Sequence, residues 1–504
     1  MTLAYYEVDG LIAAPQQKER LMSAKFSAQN PTLQPPQAPP RRATPIKTTV
    51  ESKEKPAKPN DIEIQVHKNL KTILEPLDAL YQIEPRLDLG PFVHWRGNAS
   101  SPMHRWLRYR EAYSPELIEK LQLGNRILDP FSGCGSIPIG AAIRGRKALG
   151  IDLNPIAAFS TKVKLTPLKA QSIRKLHDFV KDLPKLAVSE DRWPLPELSI
   201  SEKVFEPKIL DAVLRTRSGI ERAFARDSGA RDFAFLAWLA ILENVGSYFK
   251  EGNGIKYRNK KRQKGKYEDR PDGEWQFARF GSDQTAFFLD VFTRQLQMML
   301  EDTAEWKSGS WQDQRVVEGS AFNLTALLAG ETFDSVIFSP PYANRFDYFE
   351  SFKVELWFGN FVNSYADLNA LRKASLRSHL NADFKRHSDH LQPLEDLIGL
   401  MDRDASSWRM GVPDLMRGYF HDMGVVLRQC RQAAPNGRCH VVVGNSAFAG
   451  VIVPTDVLTA MVGIQAGYER AKIVETRHLT VAPQQRNRLK GFEHYMRESI
   501  VILE

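Results

Sequence analysis

Cysteine is nearly missing from this chain: three in 504 residues, Cys134, Cys430 and Cys439. Their spacing forms neither a disulfide framework nor a paired CxxC zinc pattern, so a packed core in a reducing compartment is expected and no metal. Long apolar runs are missing too. No window nears the ~18 uninterrupted apolar residues of a membrane span, and the acids Glu7 and Asp9 stand where a signal peptide needs a basic flank. A soluble, cytoplasmic protein with no membrane contact is expected, nucleoid-associated if bacterial. No GxxxxGK[ST] occurs, which removes the lysine-bearing phosphate cradle. Acid excess is absent as well: the net charge is +9 and the pI about 9.2, which suits a polyanionic partner without requiring one. What is present is apolar material, 42% of the residues, enough for a large core and more than one domain.

Residues 1–61 are rich in Pro, Gln, Lys and Ser, as in Gln34-Pro-Pro-Gln-Ala-Pro-Pro-Arg-Arg42. They cannot bury enough apolar surface to offset chain entropy and are expected to be disordered. Helical spacing begins near Ile62 and runs through Leu70, Ile73, Leu77 and Leu80. Ser114 and Pro115 suit the start of a helix that buries Leu117, Ile118 and Leu121. Next come Arg126-Ile-Leu-Asp-Pro-Phe-Ser-Gly-Cys-Gly-Ser136, a helical Ile137–Arg144 and Lys147-Ala-Leu-Gly-Ile-Asp152. This is strand, glycine loop, helix, and a strand ending in an acid: one βαβ unit. Gly133 and Gly135 let the backbone approach a ligand closely. Asp152 is placed to take two ribose hydroxyls. Asp129 inside the loop repels phosphate and favours an amino-bearing or cationic ligand, and the loop departs from the GxGxxG of nicotinamide sites. S-adenosylmethionine, with an ammonium, a sulfonium and a ribose, fits. A tight turn in some other α/β protein would read the same way.

A second short strand, Val336-Ile-Phe338, stops at Ser339-Pro340-Pro341-Tyr342, where two prolines force the chain out of the sheet. The result is a rigid loop carrying carbonyls, one hydroxyl and one flat ring, suited to gripping a planar group with an amino function. Asp347–Phe358 is helical and strongly aromatic. Residues 165–315 insert helices over Ile209–Phe224, Phe233–Phe249 and Ser282–Trp306, with a basic run between them. That run holds Lys256, Arg258, Lys260, Lys261, Arg262, Lys264 and Lys266 between aromatic residues, a pattern for phosphates and bases that a solvated loop also shows. A second polar insertion, 360–413, has no zinc spacing among its histidines. Strands are expected at Arg315–Phe322, with Ser320 near its tip, and at Arg438–Ser446. Arg470–Glu475 and Glu498–Leu503 read as a closing antiparallel pair. The fold class is α/β, a mixed seven-stranded sheet with helices on both faces and a large, mainly helical insertion.

Asp129-Pro130-Phe131-Ser-Gly133-Cys-Gly135-Ser136 together with Ser339-Pro-Pro-Tyr342 resembles the amino-methylating DNA methyltransferases, the cytosine-N4 and adenine-N6 enzymes, over about residues 100–160 and 316–504. Tyr109-Arg-Glu-Ala-Tyr-Ser-Pro-Glu-Leu117 resembles the element that precedes the glycine loop in that family and helps enclose the cofactor. The order of motifs excludes the permuted group in which SPPY comes first. The resemblance implies a class I, Rossmann-like methyltransferase that uses S-adenosyl-L-methionine and acts on double-stranded DNA, with a cognate restriction or defence-system protein as a partner. It implies a catalytic domain of 62–164 and 316–504, with 165–315 available for target recognition. Tyr109, Asp129, Pro130, Phe131, Gly133, Gly135 and Asp152 would hold the cofactor, with Ser320 beside its adenine, where an acid is common. Ser339 and the Pro340 carbonyl would accept from the amine, Pro341 would stiffen the loop, and Tyr342 would stack on a flipped base. No cysteine follows a proline, so the covalent cytosine-C5 route has no nucleophile. A serine at the first motif position leans towards cytosine N4. Adenine N6, an RNA amino-methyltransferase and a non-catalytic DNA-binding scaffold stay open as alternatives.

Overall fold

Two-residue periodicity in five short strands sorts their side chains between two cores. Ile127, Ile337, Val442, Val474 and Ile500 pack on one face with Leu89, Val93, Leu117, Ile118 and Ile137. Their neighbours Leu128, Val336, Phe338, Val441, Val443, Ile473 and Val501 pack on the other, against helices Val412–Ala433 and Thr455–Gln465. Side chains alternate across a strand, so each strand serves both layers. The computed structural model describes residues 59–109, 112–186, 190–251, 254–258, 279–382, 391–483 and 485–504. The expected arm up to residue 58, the basic residues Lys260, Lys261, Arg262, Lys264 and Lys266, and part of the second insertion lie outside the described residues. The chain divides into two compact units, Met1–Gln65 and Val66–Glu504; the description concerns the second.

The strands are β1 (Glu84–Pro85), β2 (Arg126–Asp129), β3 (Lys147–Asp152), β4 (Tyr248–Glu251), β5 (Gly254–Tyr257), β6 (Arg315–Glu318), β7 (Ser335–Phe338), β8 (Arg438–Gly444), β9 (Ser446–Phe448), β10 (Val451–Val453), β11 (Ala471–His478) and β12 (Arg497–Leu503). The main sheet runs β1-β11-β12-β8-β7-β2-β3-β6. Strands β6, β3, β2, β7 and β8 are parallel, and β12 lies antiparallel between β8 and β11. The sheet has eight strands where seven were expected. The extra one, β1, is two residues long and half proline, tolerated because it sits at the edge beside β11; such a strand leaves no periodicity to read.

Several local expectations shift. Ser114 does not cap: the helix is only Leu117–Lys120, it starts after Glu116, and the Ser114 hydroxyl donates to the Glu116 carboxylate. The helix expected over Phe233–Phe249 is Ser228–Val245. Gly246 ends it in an extended conformation, φ −79° and ψ 157°, and Tyr248 and Phe249 enter β4, which pairs with β5 as a separate hairpin. Asp347–Phe358 is two short helices, Tyr348–Ser351 and Lys353–Phe358. Phe349, Phe352, Trp357 and Phe358 are all buried.

The inserted residues share a third core with Trp106, Ile139 and Ile156. Asp302, at the end of helix Gln284–Asp302, makes the join. Its buried carboxylate accepts from the Met103 amide, the Trp106 indole and the Arg105 guanidinium, at 2.9, 2.9 and 3.0 Å on one oxygen.

One buried ion network supports the sheet. Arg497 is 3% exposed and donates to Asp456, fully buried, and to Asp78, while Ser499 also donates to Asp456. Arg497→Leu leaves two carboxylates without their cation, and urea denaturation should show a loss of about 3–5 kcal/mol. A loss below about 1 kcal/mol would mean the network carries no stability.

Candidate active site

Leu128 of β2 pairs in register with Val336 of β7. The glycine loop after β2 and the Ser339 loop after β7 therefore leave the sheet side by side, at the carboxyl ends of parallel strands. The chain order reverses between these two strands: β2, β3 and β6 build outward one way, β7 and β8 the other. In open α/β sheets that reversal makes a crevice where ligands bind.

The glycine loop is held from behind. Gly135 has φ +87°, and a Cβ there would stand 2.8 Å from Thr161 Cγ2. The Thr161 hydroxyl donates to the Gly133 carbonyl at 3.1 Å, and the buried Lys164 ammonium to the Cys134 carbonyl at 3.0 Å. Burial lowers the Lys164 pKa. In front, Gly133 has φ +50°, and a Cβ would lie 3.0 Å from Cε1 of Tyr109. The Tyr109 ring stacks on Phe352 at 5.3 Å and 21°. The Lys250 ammonium lies 3.8 Å from the Phe352 ring centre and 2.7 Å from the buried Glu355 carboxylate. Lys250 belongs to β4, so the inserted hairpin reaches the glycine loop through two aromatic rings. A cation over an aromatic face is attractive by about 0.5–2 kcal/mol.

Two acids shape the pocket differently. Asp152, half-buried at the tip of β3, accepts the Gly133 amide at 2.7 Å and the Asn154 amide at 2.8 Å on separate oxygens. Each oxygen keeps a lone pair for a hydroxyl. Asp129 is 1% exposed; it accepts the Tyr113 hydroxyl at 2.7 Å and the Phe131 amide at 3.1 Å. Its hydrogen-bonded contacts are thus with Tyr113 and the loop's own backbone. Burial, only partly offset by these bonds, pushes Asp129 up to about 7 and Asp152 up to about 6. Ser132 Oγ and Asn154 Nδ2 are buried here without a hydrogen-bond partner. Pro130 continues the chain from Asp129, and the Phe131 ring packs 5.4 Å from Phe338 across the crevice. β6 ends at Glu318, short of the strand expected to Phe322, so Ser320 lies past the strand and caps the turn after it; its hydroxyl donates to the Ala374 carbonyl at 2.7 Å and accepts from the Phe322 amide.

In the second loop, the Ser339 hydroxyl lies 3.2 Å from the Val442 carbonyl and 3.4 Å from the Tyr342 hydroxyl. Donation to Val442 leaves the serine lone pairs available as acceptors. Tyr342 donates to Glu498 Oε1 at 2.7 Å, and Arg477 holds the other Glu498 oxygen. A Cβ on Gly444 would lie 3.0 Å from the Tyr342 ring, so β8 and β12 fix that ring's position. Burial and then the Glu498 charge push the Tyr342 pKa well up. Pro340 is buried and Pro341 half-buried. Asp347, just beyond, is braced by Arg372 and Asn381 of the second insertion, both at 2.9 Å.

The two described residues of the basic run lie on or beside β5. Lys256 pairs with Glu251 at 2.6 Å, and Arg258 Nε donates to the Tyr248 carbonyl at 2.8 Å. Neither lies among the groups at the crevice. Sequence reasoning missed Lys250, Arg477 and Glu498 as neighbours of the two loops; Tyr113 fell within the stretch Tyr109–Leu117, and Phe352 within the aromatic helix, without a role of its own. Glu498 left a trace, an acid near the start of the strand that closes the sheet.

Comparison with known proteins places this chain beside Type II methyltransferases. M.AvaI of Nostoc sp. (strain PCC 7120 / SAG 25.82 / UTEX 2576) is 23% identical over 410 residues, covering 76% of this chain and 82% of that protein, and the M.AvaI of Anabaena variabilis matches to the same extent. M.BsoBI of Geobacillus stearothermophilus is 24% identical over 426 residues, 76% of this chain and 81% of that protein. No family model matches the chain.

The raised acids set a pH dependence. Unfolded carboxyls titrate near 3.8, so between about pH 4 and 7 these two groups hold more protons in the folded state than in the unfolded chain. Their contribution to stability falls as pH rises through that window and levels off above it. Between about pH 5 and pH 8 the urea midpoint of the wild type should therefore drop relative to that of Asp129→Asn. An unchanged difference between the two would show that Asp129 does not titrate there.

Proposed function

We propose that this chain is a class I, Rossmann-like DNA methyltransferase that moves a methyl group from S-adenosyl-L-methionine to the exocyclic amine of a flipped base, cytosine N4 favoured over adenine N6. The observation that carries the reading is the adjacency of the two loops. A glycine loop with a ribose-competent acid and a serine-proline-proline-tyrosine loop leave neighbouring parallel strands on the two sides of the chain reversal. The similarity to Type II methyltransferases supports it independently. Of the expected sheet, seven strands make the methyltransferase core and β1 is an addition. Residues 62–164 and 316–504 form the catalytic domain, 165–315 the insertion that meets the target, and 360–413 a brace for the catalytic loop.

The residues present fit the cofactor. Gly133 and Gly135 take positive φ where a Cβ would strike Tyr109 and Thr161, Asp152 offers two acceptors, and Ser132 Oγ in the loop and Asn154 Nδ2 after β3 are buried polar atoms without a partner. Tyr109 covers the loop, Asp129, Pro130 and Phe131 shape it, and Ser320 stands at the adenine end of the site. When bound, S-adenosyl-L-methionine supplies an electrophilic methyl group on a sulfonium. The chain's part is to make a weak nucleophile better. The base amine has its lone pair delocalised into the ring; acceptors on its two hydrogens return density to nitrogen. Ser339 Oγ, turned by Val442 to present lone pairs, and the Pro340 carbonyl act as that clamp, and Pro341 keeps it stiff. Tyr342, tethered by Glu498, gives a fixed ring for the extruded base, such stacking being worth ~1–3 kcal/mol. Positioning supplies the rest of the rate. Lys256, Arg258 and the basic residues 260–266 contact DNA phosphates, and a cognate restriction or defence-system protein is the expected partner.

The deciding experiment uses purified protein, methyl-labelled S-adenosyl-L-methionine and duplex DNA, followed by digestion to nucleosides and mass spectrometry. Label on cytosine N4 is expected. Label on adenine N6 would reassign the base, and transfer to RNA alone would overturn the DNA reading. Ser339→Ala should lower kcat about a hundredfold while calorimetry shows unchanged cofactor binding; equal incorporation by variant and wild type would remove Ser339 from the mechanism. Glu498→Ala should weaken the tether on Tyr342 and lower kcat about tenfold, the size of one lost hydrogen bond to a charged group. Unaltered turnover would make that tether irrelevant to catalysis.

A further inference from the structure

A cleft of about 580 Å³ opens in the inserted region, between the end of β5 and helix Gln284–Asp302. Arg258, Arg279 and Arg294 line it together with Asn244 and Gln295, over an apolar floor that includes Val291, and among the described residues no carboxylate lines it. Arg279 is held in place by the backbone: one guanidinium nitrogen donates to the Asn244 and Gly246 carbonyls, both at 2.9 Å, where helix Ser228–Val245 ends. Its Nε is buried and has no hydrogen-bond partner. Burial, and then the nearby Arg258 charge, pull Arg279 down to about 10, so it stays charged at neutral pH while facing another cation. Arg294 pairs with Asp290 one turn away and is 67% exposed in its side chain. An anion with several oxygens held between Arg279 and Arg294 would meet two guanidinium groups and give the spare Arg279 donor a partner.

The position of the cleft narrows the choice of anion. Its edge at Arg258 follows directly on β5, and the far end of the β4–β5 hairpin abuts the catalytic half. A Cβ on Gly254 would lie 3.3 Å from Glu350, in the short helix Tyr348–Ser351 that follows the Ser339 loop. A four-residue strand spans roughly 13 Å, about four base steps at 3.4 Å. The hairpin is thus a spacer between a cationic cleft and the segment just past the catalytic loop.

We propose that this cleft is a site for a backbone phosphate of the DNA substrate, with Arg279 and Arg294 as its ligands. The inference rests on the DNA methyltransferase reading and adds to it a phosphate contact outside the basic run. The test measures binding of the full chain to a mixed-sequence duplex across a salt series. Each phosphate contact removed should make the slope of log Kobs against log salt shallower by about 0.9. Arg279→Met and Arg294→Met should each show that change. Arg279→Lys, which keeps the charge, should retain the wild-type slope, and calorimetric binding of S-adenosyl-L-methionine should be the same in all. Arg279 also secures a helix end, so if Arg279→Met fails to fold, the mostly exposed Arg294 decides. Wild-type slopes in every folded variant would overturn the site while leaving the enzyme reading intact. Variants that change inorganic phosphate binding but not duplex binding would also overturn it. Failure of the wild type to methylate any DNA would instead overturn the enzyme reading itself.

Discussion

Everything at the crevice depends on β2 and β7 being parallel neighbours. Because Leu128 and Val336 pair in register, the two loops emerge from one edge, a few ångströms apart, without any long-range adjustment. Tyr113 secures that alignment from below: its hydroxyl donates to Asp129 at 2.7 Å and lies 3.4 Å from the Ile337 carbonyl. One phenol therefore touches the last residue of β2 and the penultimate residue of β7. Phe131 against Phe338 repeats the link one layer up. The cost appears in Asp129, whose carboxyl is held in a setting that disfavours its charge. Such local strain at a site is tolerated where the surrounding structure over-determines it.

The inserted residues are wired into this arrangement at two points. Asp302 gathers the amide and side-chain donors of residues 103–106, a few positions ahead of Tyr109. Lys250 meets Tyr109 from the other side through Phe352. The hairpin that carries Lys250 also leads to the arginine cleft, so the cleft and the glycine loop are joined through one element.

The seven longer strands of the main sheet were the most legible part of the chain. They stand within a few residues of where they were expected, because burial on both faces demands apolar side chains, whereas β1, β4, β5, β9 and β10 were not expected. The helix boundaries were less so. The run Phe233–Phe249 is apolar as far as Leu242 and then reads Glu243-Asn-Val-Gly246-Ser, where the glycine stops the helix and Tyr248 enters a strand. Ser114-Pro115 has the composition of a helix start, but the serine hydroxyl finds Glu116 instead. For the site, the two loops and Asp152 were legible because glycine, proline and a strand-end acid constrain the backbone locally. Ser320 was legible only as a position; the partner its hydroxyl chose, Ala374, lies 54 residues away.

By itself the sequence determined the α/β class, the order of the two loops, and the absence of a thiol placed for covalent chemistry. These follow from local rules: which residues can leave a sheet, which can approach a ligand, which can act as nucleophile. Only the tertiary structure decided that Asp129 turns inward to Tyr113, that Glu498 and Arg477 hold Tyr342, and that Lys250 reaches Tyr109 through Phe352. The partners of Tyr342 come from strands more than a hundred residues downstream, and nothing in a hydroxyl or carboxylate names its partner until the sheet brings the two together. That is why the stiffness of the loop follows from its own prolines, and the orientation of its groups does not.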